Sequence, residues 1–192
     1  MTHKRKPKSV SEVMASIHSQ DTKPEILARR WLWAHGYRYR KNDARLPGKP
    51  DIVVTASRTA IFINGCFWHQ HEGCGNYSVP RTNTDFWKRK FERNKERDAR
   101  VRNELRTLGW RTMVVWECQL KPARFDDTMA TVARLLDEAR QEWQSLPPSA
   151  RQRSQIPDAP PTPSAYTALP SDNLYMAAED EMNYADDTPE PY

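Results

Sequence analysis

Residues 62–75 read FINGCFWHQHEGCG, and the chain's three cysteines are Cys66, Cys74 and Cys118. No other segment restricts the fold as much. Three cysteines cannot all pair with one another, and histidines stand at positions 69 and 71 between the first two. The spacing C-x4-H-x2-C, completed by Cys118, offers three thiolates and an imidazole, the donor set of a closed tetrahedral zinc site. Spacing alone leaves open whether His69 or His71 is the ligand; the other is then available for proton transfer. The plainer alternative is that Cys118 is a buried apolar residue and the rest an ordinary loop.

The flanking signals predict an α/β fold. Residues 9–20 suit a short helix behind a basic arm. Thr22-x-x-Glu25 has capping-box spacing and leads into ILARRWLWAH, with Gly36 as the stop. Tyr37 to Arg40 alternates as a strand. Asp51-IVVTA and Ala60-IFING read as an antiparallel hairpin turning near residues 57–58, a register that sets Asp51 beside Asn64 or Gly65. A long charged helix over Thr84–Leu108, a buried strand over Trp110-RTMVVWE and an amphipathic helix over Asp126–Trp143 follow. The order α-α-β-β-β-α-β-α predicts a mixed sheet flanked by helices.

Charge divides the chain. The formal net charge is +5, yet residues 147–192 hold two arginines against eight acidic side chains, a local −6, and nine of the fifteen prolines. Residues 1–146 therefore carry +11 and are expected to form the folded domain, with a basic arm over residues 1–10; the acidic, proline-rich tail is expected to be disordered. A domain of that charge suits a polyanion, and nucleic acid leads. No apolar run reaches the ~20 residues a membrane helix needs, and the basic start lacks an apolar core behind it, so a cytoplasmic location is expected.

Two further groups of residues point to chemistry. The inward stripe of the long helix falls at Trp87, Phe91, Asn94, Asp98, Val101, Leu105 and Leu108. Asn94 and Asp98 interrupt an otherwise apolar face, and a carboxylate there needs a cation, a histidine or a metal. The alternative is a peripheral Asp98 paired with Arg97 or Arg102. Asp51 opens a strand after Gly-Lys-Pro, where a carboxylate can hold Mg²⁺ and so activate water. Phe67 and Trp68 either pack in the core or are held out by a stiff metal loop to wedge between bases. Lys88, Arg89, Lys90, Arg93, Lys95 and the arm over residues 3–8 are candidate phosphate contacts, against the alternative of a solvated helix face.

GKPDIVV, IFINGCFWHQH, TDFW with NKERD in one helix, and GWRTMVVWEC together resemble the very-short-patch-repair (Vsr) mismatch endonucleases over residues 8–122. The resemblance implies a restriction-endonuclease-like fold with a structural zinc. It also implies a monomer acting on double-stranded DNA, with other mismatch-repair proteins as partners, that makes a Mg²⁺-dependent nick 5′ of the thymine in T:G mismatches. Such mismatches arise when 5-methylcytosine deaminates. Carried over by residue, it makes Asp51 a Mg²⁺ ligand with the backbone carbonyl of Ile63. His69 becomes the general base, Asp98 its orienting group and Asn94 a support. Zinc takes Cys66, His71, Cys74 and Cys118. Phe67, Trp68 and Trp87 wedge from the major groove and Met14 and Ile17 fill the minor groove, while Glu25 lies near the metal-water shell or serves only its capping box. Three departures stand out. Ile63-Asn64 replaces the Thr-His of some relatives, Glu72-Gly73 lengthens the loop by one residue, and the D/E-x-K half-motif of restriction nucleases is replaced by Ile63-Asn64-Gly65.

Overall fold

A computed structural model describes residues 20–152, apart from 78 and 82. The expected helix over residues 9–20, including Met14 and Ile17, and the tail from residue 153 lie outside the described residues.

Helix α1 spans Lys23–Ala34, with Pro24 in its first turn where a missing N–H costs nothing. The Thr22-x-x-Glu25 signature marks this start, but its bonding differs from a capping box. The Thr22 side chain caps no backbone amide; its hydroxyl donates to Glu25 Oε1 at 2.6 Å, while Glu25 Oε2 accepts the Asp21 amide at 3.0 Å. The stretch 37–40 is not a strand. Only Arg40 pairs, in one antiparallel bridge to Val53, because Asn42 turns away at φ +48° and the flanking tyrosines leave the sheet to bond helices. Tyr37 Oη donates to Ala133 O and Asp137, and Tyr39 Oη to Arg29 O.

Strand β1 (Ile52–Val54) pairs antiparallel with β2 (Thr59–Asn64), and β2 pairs parallel with β3 (Arg111–Trp116). The hairpin register differs from expectation. A 3-10 turn over Thr55–Ser57 and a left-handed Arg58 (φ +51°) make the connection, so Val54 faces Thr59 and the turn centres one residue earlier. Continuing the pairing, Asp51 faces Phe62 rather than Asn64. Arg58 keeps its strained backbone because its guanidinium lies 4.1 Å from the Trp110 ring centroid and donates to Leu108 O.

Helix α2 (Thr84–Thr107) crosses from β2 to β3, and α3 (Pro122–Ser145) follows a 3-10 turn over Glu117–Leu120. α3 begins four residues before the expected Asp126 because Pro122 suits the first helical turn. A short helix α4 (Pro148–Gln152) extends past the boundary expected at residue 146.

Alternation along the strands divides the core between two faces. Ile52, Val54, Ile61 and Val115 pack with Ala28 and Leu32 of α1 and Met129, Val132 and Leu136 of α3. Val53, Ala60 and Phe62 point the other way, onto Val101 and Leu105 of α2 with Leu46 and Trp110. Each large aliphatic side chain so buried contributes roughly 1.5–3 kcal/mol. The mixed sheet is therefore flanked on both faces, an α/β sandwich.

The parallel pair also positions the site. Asn64 lies opposite Trp116 at the end of the ladder. Two residues further on in each chain segment stand Cys66 and Cys118, so equal offsets bring both sulfurs to the same sheet end.

Candidate active site and metal centre

Cys66, His71, Cys74 and Cys118 converge at that end, with their ligand atoms all within 4.8 Å of one another. His71 Nδ1 lies 3.6 Å from Cys66 Sγ and 3.3 Å from Cys118 Sγ. Tetrahedral bonds of about 2.3 Å to sulfur and 2.0 Å to nitrogen give edges of about this length. The His71 ring is fixed by stacking on Trp116 at 4.1 Å, 2° from parallel. Successive turns hold the loop: His71 N–H donates to Cys66 O, Cys74 N–H to His71 O and Tyr77 N–H to Cys74 O. The loop turns at Gly73, whose φ of +71° suits glycine. Burial pushes the Cys66 thiol up to about 12 and raises Cys118, while Cys74, accepting the Asn76 amide, is lowered. Buried thiols of this kind become thiolates when a cation joins them. The cluster is a site that can hold a metal ion.

His69 points elsewhere. Its Nδ1 lies 2.5 Å from Asp98 Oδ2. Burial works against ionisation of Asp98, but the hydrogen bond and charge of His69, with Arg97 at 3.4 Å, hold its carboxyl below the usual range. An ionised Asp98 accepts only, so Nδ1 carries the proton shared with it, and Nε2 is the nitrogen left for other partners. Asn94, buried on the same face of α2, donates from Nδ2 to the Trp68 carbonyl at 2.9 Å. It braces the backbone one residue before His69.

Asp51 sits at the start of β1, where Oδ2 accepts the Ile63 amide at 2.7 Å. Burial pushes its carboxyl up to about 6, opposed by the Ile63 hydrogen bond; Glu25 adds to the rise, and Arg29 and His69 oppose it. The register correction explains this geometry. Facing Phe62 at the ladder's end, the Asp51 side chain reaches across to the next amide of β2. Ile63 thus meets Asp51 through its N–H.

Glu25 is 3% exposed and Arg29 6% exposed. Arg29 Nη2 lies 2.5 Å from Asp21 and 3.7 Å from Glu25, and the Arg29 guanidinium holds the Asp21 carboxyl below its usual range. Arg29 and Trp116 were not singled out from the sequence. The i,i+4 spacing of Glu25 and Arg29 was a usable signal for the first; nothing local marks the second.

Phe67, Trp68 and Trp87 are half-buried. Phe67 makes edge contacts with Trp68, Trp87 and the buried Phe91 at centroid distances of 5.1–5.3 Å. The three rings are neither a closed core nor free: Phe67 and Trp87 stand on Phe91, Trp68 stands on those two, and part of each surface is open. Lys88 and Arg89 are exposed on α2, and Lys90 and Arg93 are half-buried there.

Comparison with known proteins resolves what this constellation belongs to. The family described as DNA mismatch endonuclease Vsr matches residues 2–75. The type II nicking enzyme V.NmeAIP of Neisseria meningitidis is 51% identical over 111 residues, 58% of this chain and 79% of that protein. The chain belongs to the Vsr DNA mismatch endonuclease family. Two further Vsr-type relatives agree. The type II nicking enzyme V.XorIIP of Xanthomonas oryzae is 41% identical over 120 residues, 62% of this chain and 88% of that one. The DNA mismatch endonuclease Vsr of Escherichia coli is 45% identical over 111 residues, 58% of this chain and 70% of that one. A Vsr-family chain is a hydrolytic endonuclease that acts on DNA, with the restriction-endonuclease-like fold of its family. Among the described residues no helix is long and apolar enough to cross a membrane.

Proposed function

We propose that this chain, acting as a monomer, nicks one strand of duplex DNA on the 5′ side of the thymine in a T:G mismatch. The cut would start very short patch repair of deaminated 5-methylcytosine. The observation that carries the reading is the 2.5 Å contact between His69 Nδ1 and Asp98, in a protein whose family cleaves DNA. DNA binding alone has no use for an imidazole held at Nδ1 by a half-buried carboxylate, with Nε2 left for other partners.

Asp51, with one oxygen engaged by the Ile63 amide, has the other for a cation, and the carbonyl of Ile63 is the second proposed ligand. Mg²⁺ bound there would supply charge to the phosphate oxygens and lower the pKa of a water. The residues then divide the work. His69 Nε2 takes a proton from the attacking water as its oxygen forms the new bond to phosphorus and the bond to the leaving oxygen breaks. Asp98 keeps the imidazole in the reactive tautomer and stabilises the imidazolium that forms, as in other Asp-His pairs. Glu25, buried beside Asp21, Thr22 and Arg29 and near enough for its charge to act on Asp51, would help order the metal-water shell. Asn94 holds the backbone that carries His69.

Zinc suits Cys66, His71, Cys74 and Cys118 because three sulfurs and one imidazole match its preference and leave no open position. Its part is to stiffen the loop that carries Phe67, Trp68 and His69. Phe67 and Trp68, with Trp87, would insert from the major groove, where flat apolar rings on a rigid support unstack a weak pair. Met14 and Ile17 would meet them from the minor groove, and Lys88 and Lys90 would neutralise phosphates.

Incubation with T:G and matched duplexes in Mg²⁺ tests the reading. The expected result is a single nick in the mismatched strand by the wild type, none by Asp51→Ala, and binding by both. Equal cleavage of matched DNA would remove the mismatch specificity. Tight binding without cleavage would leave a binding protein.

A further inference from the structure

A cleft of about 560 Å³ opens between α2 and the ends of β2 and β3, lined by Asn64, His69, Lys95, Asp98, Arg102 and Trp116 among others. Lys95, Asp98 and Arg102 share one face of α2 because they are spaced by three and four residues. His69 and Asp98 form one wall, so the cleft adjoins the proposed reaction centre without including Asp51. Most of its polar groups are engaged, but two are not. Arg102 is half-buried and makes no hydrogen bond or ion pair with any described residue. Asn64 is 8% exposed, and its side chain likewise has no partner among the described residues.

The negative charges nearby are already engaged or weakly held. Asp98 is shared by His69 and Arg97. Glu72 reaches Lys95 at 3.9 Å, but with its side chain 88% exposed the pair is screened and easily exchanged. A free guanidinium, an exchangeable ammonium and a neutral amide, drawn from two elements and facing one concavity, form an anion site. Arginine in particular suits the oxygens of a phosphate.

We infer that Asn64, Lys95 and Arg102 form a second phosphate subsite, which takes a backbone phosphodiester of the strand being cut, next to the scissile group. The inference rests on the proposed endonuclease reading, whose reaction centre supplies the neighbouring phosphate. It gives the buried Asn64 side chain a use as a neutral donor to the strand.

The test is equilibrium binding of the full, zinc-loaded chain to a T:G duplex without Mg²⁺, followed by fluorescence anisotropy across a salt series. Each neutralised phosphate contributes about 0.9 to the slope of log K against log [salt]. Arg102→Gln and Lys95→Gln together are expected to lower that slope by about 0.9, since both serve one phosphate, with most of the loss in Arg102→Gln. Asn64→Ala is expected to weaken binding at unchanged slope. A neutral methylphosphonate at one linkage beside the cut should weaken the wild type and leave Arg102→Gln unaffected. An unchanged slope in the double variant, or equal methylphosphonate penalties in both proteins, overturns the subsite. Loss of inorganic phosphate binding in Arg102→Gln, with the wild-type slope retained on DNA, assigns the cleft to free phosphate and overturns the strand assignment. Because the slope is read without cleavage and also on matched duplex, failure of the nicking reaction is seen separately.

Discussion

Asp51→Asn should destroy nicking and stabilise the fold. Burial pushes the Asp51 carboxyl up to about 6 from the usual 3.8. At about 1.4 kcal/mol per tenfold change in proton affinity, carrying it ionised at neutral pH costs about 3 kcal/mol. The sign follows from linkage. Between about pH 4 and 6 the folded state keeps a proton that the unfolded chain has lost. Wild-type stability attributable to this group is therefore fully present below pH 4, falls as pH rises through about 6, and is level above. Asparagine keeps the volume and an oxygen that accepts the Ile63 amide, now 2.7 Å from Asp51 Oδ2, while removing the charge. Urea unfolding of zinc-loaded protein without Mg²⁺ is the assay. The two proteins should be similar near pH 4 and differ by up to about 3 kcal/mol at pH 7.5, or roughly 6–12 °C in Tm for a domain of this size. Mg²⁺ should then raise the Tm of the wild type alone, because only it has the carboxylate. A variant no more stable than wild type at pH 7.5 would falsify the claim that the active site stores this cost.

Four other outcomes are expected. Cys118→Ser should lose bound zinc by elemental analysis and lose hydrogen-exchange protection over residues 66–77; a variant that still nicks DNA contradicts the structural role of the metal. Asp98→Asn should leave DNA affinity intact and slow single-turnover cleavage by about 10²–10⁴-fold, since His69 loses its fixed tautomer; a rate within a few-fold of wild type refutes the pairing. Arg29→Met should destabilise by about 3–5 kcal/mol, because it leaves the buried Glu25 carboxylate without its cation; chemical denaturation reads this directly. Gly48→Ala should cost about 1–3 kcal/mol by the same assay: Gly48 has φ +72°, and an added Cβ would lie 2.6 Å from Val101 Cγ1 of α2.

Much of this protein is legible one segment at a time. The stripe from Trp87 to Leu108 places Phe91, Asn94, Val101 and Leu105 inside because a helix repeats every 3.6 residues whatever lies opposite. The donor types at 66, 71, 74 and 118 mark a set that could hold a metal ion before any contact is known, since metals select chemistry as well as geometry. Strand composition, charge and the mixed-sheet architecture are likewise local or additive properties.

What the tertiary structure decided are the pairings between segments. A 3-10 turn of three residues moved the hairpin centre by one position and so set Asp51 opposite Phe62, beside the Ile63 amide that it accepts. The single bridge at Arg40 stands in place of a strand, with Tyr37 bonded to α3 nearly a hundred residues on and Tyr39 to the preceding helix α1. Spacing left His69 and His71 equivalent as ligands; the fold sends one imidazole to the sulfurs and Trp116, the other to Asp98. The Arg29 network and the open guanidinium of Arg102 follow from packing as well. Periodicity and donor chemistry are written in near neighbours, whereas the tasks of individual side chains depend on distances across the sheet that one residue of turn can alter.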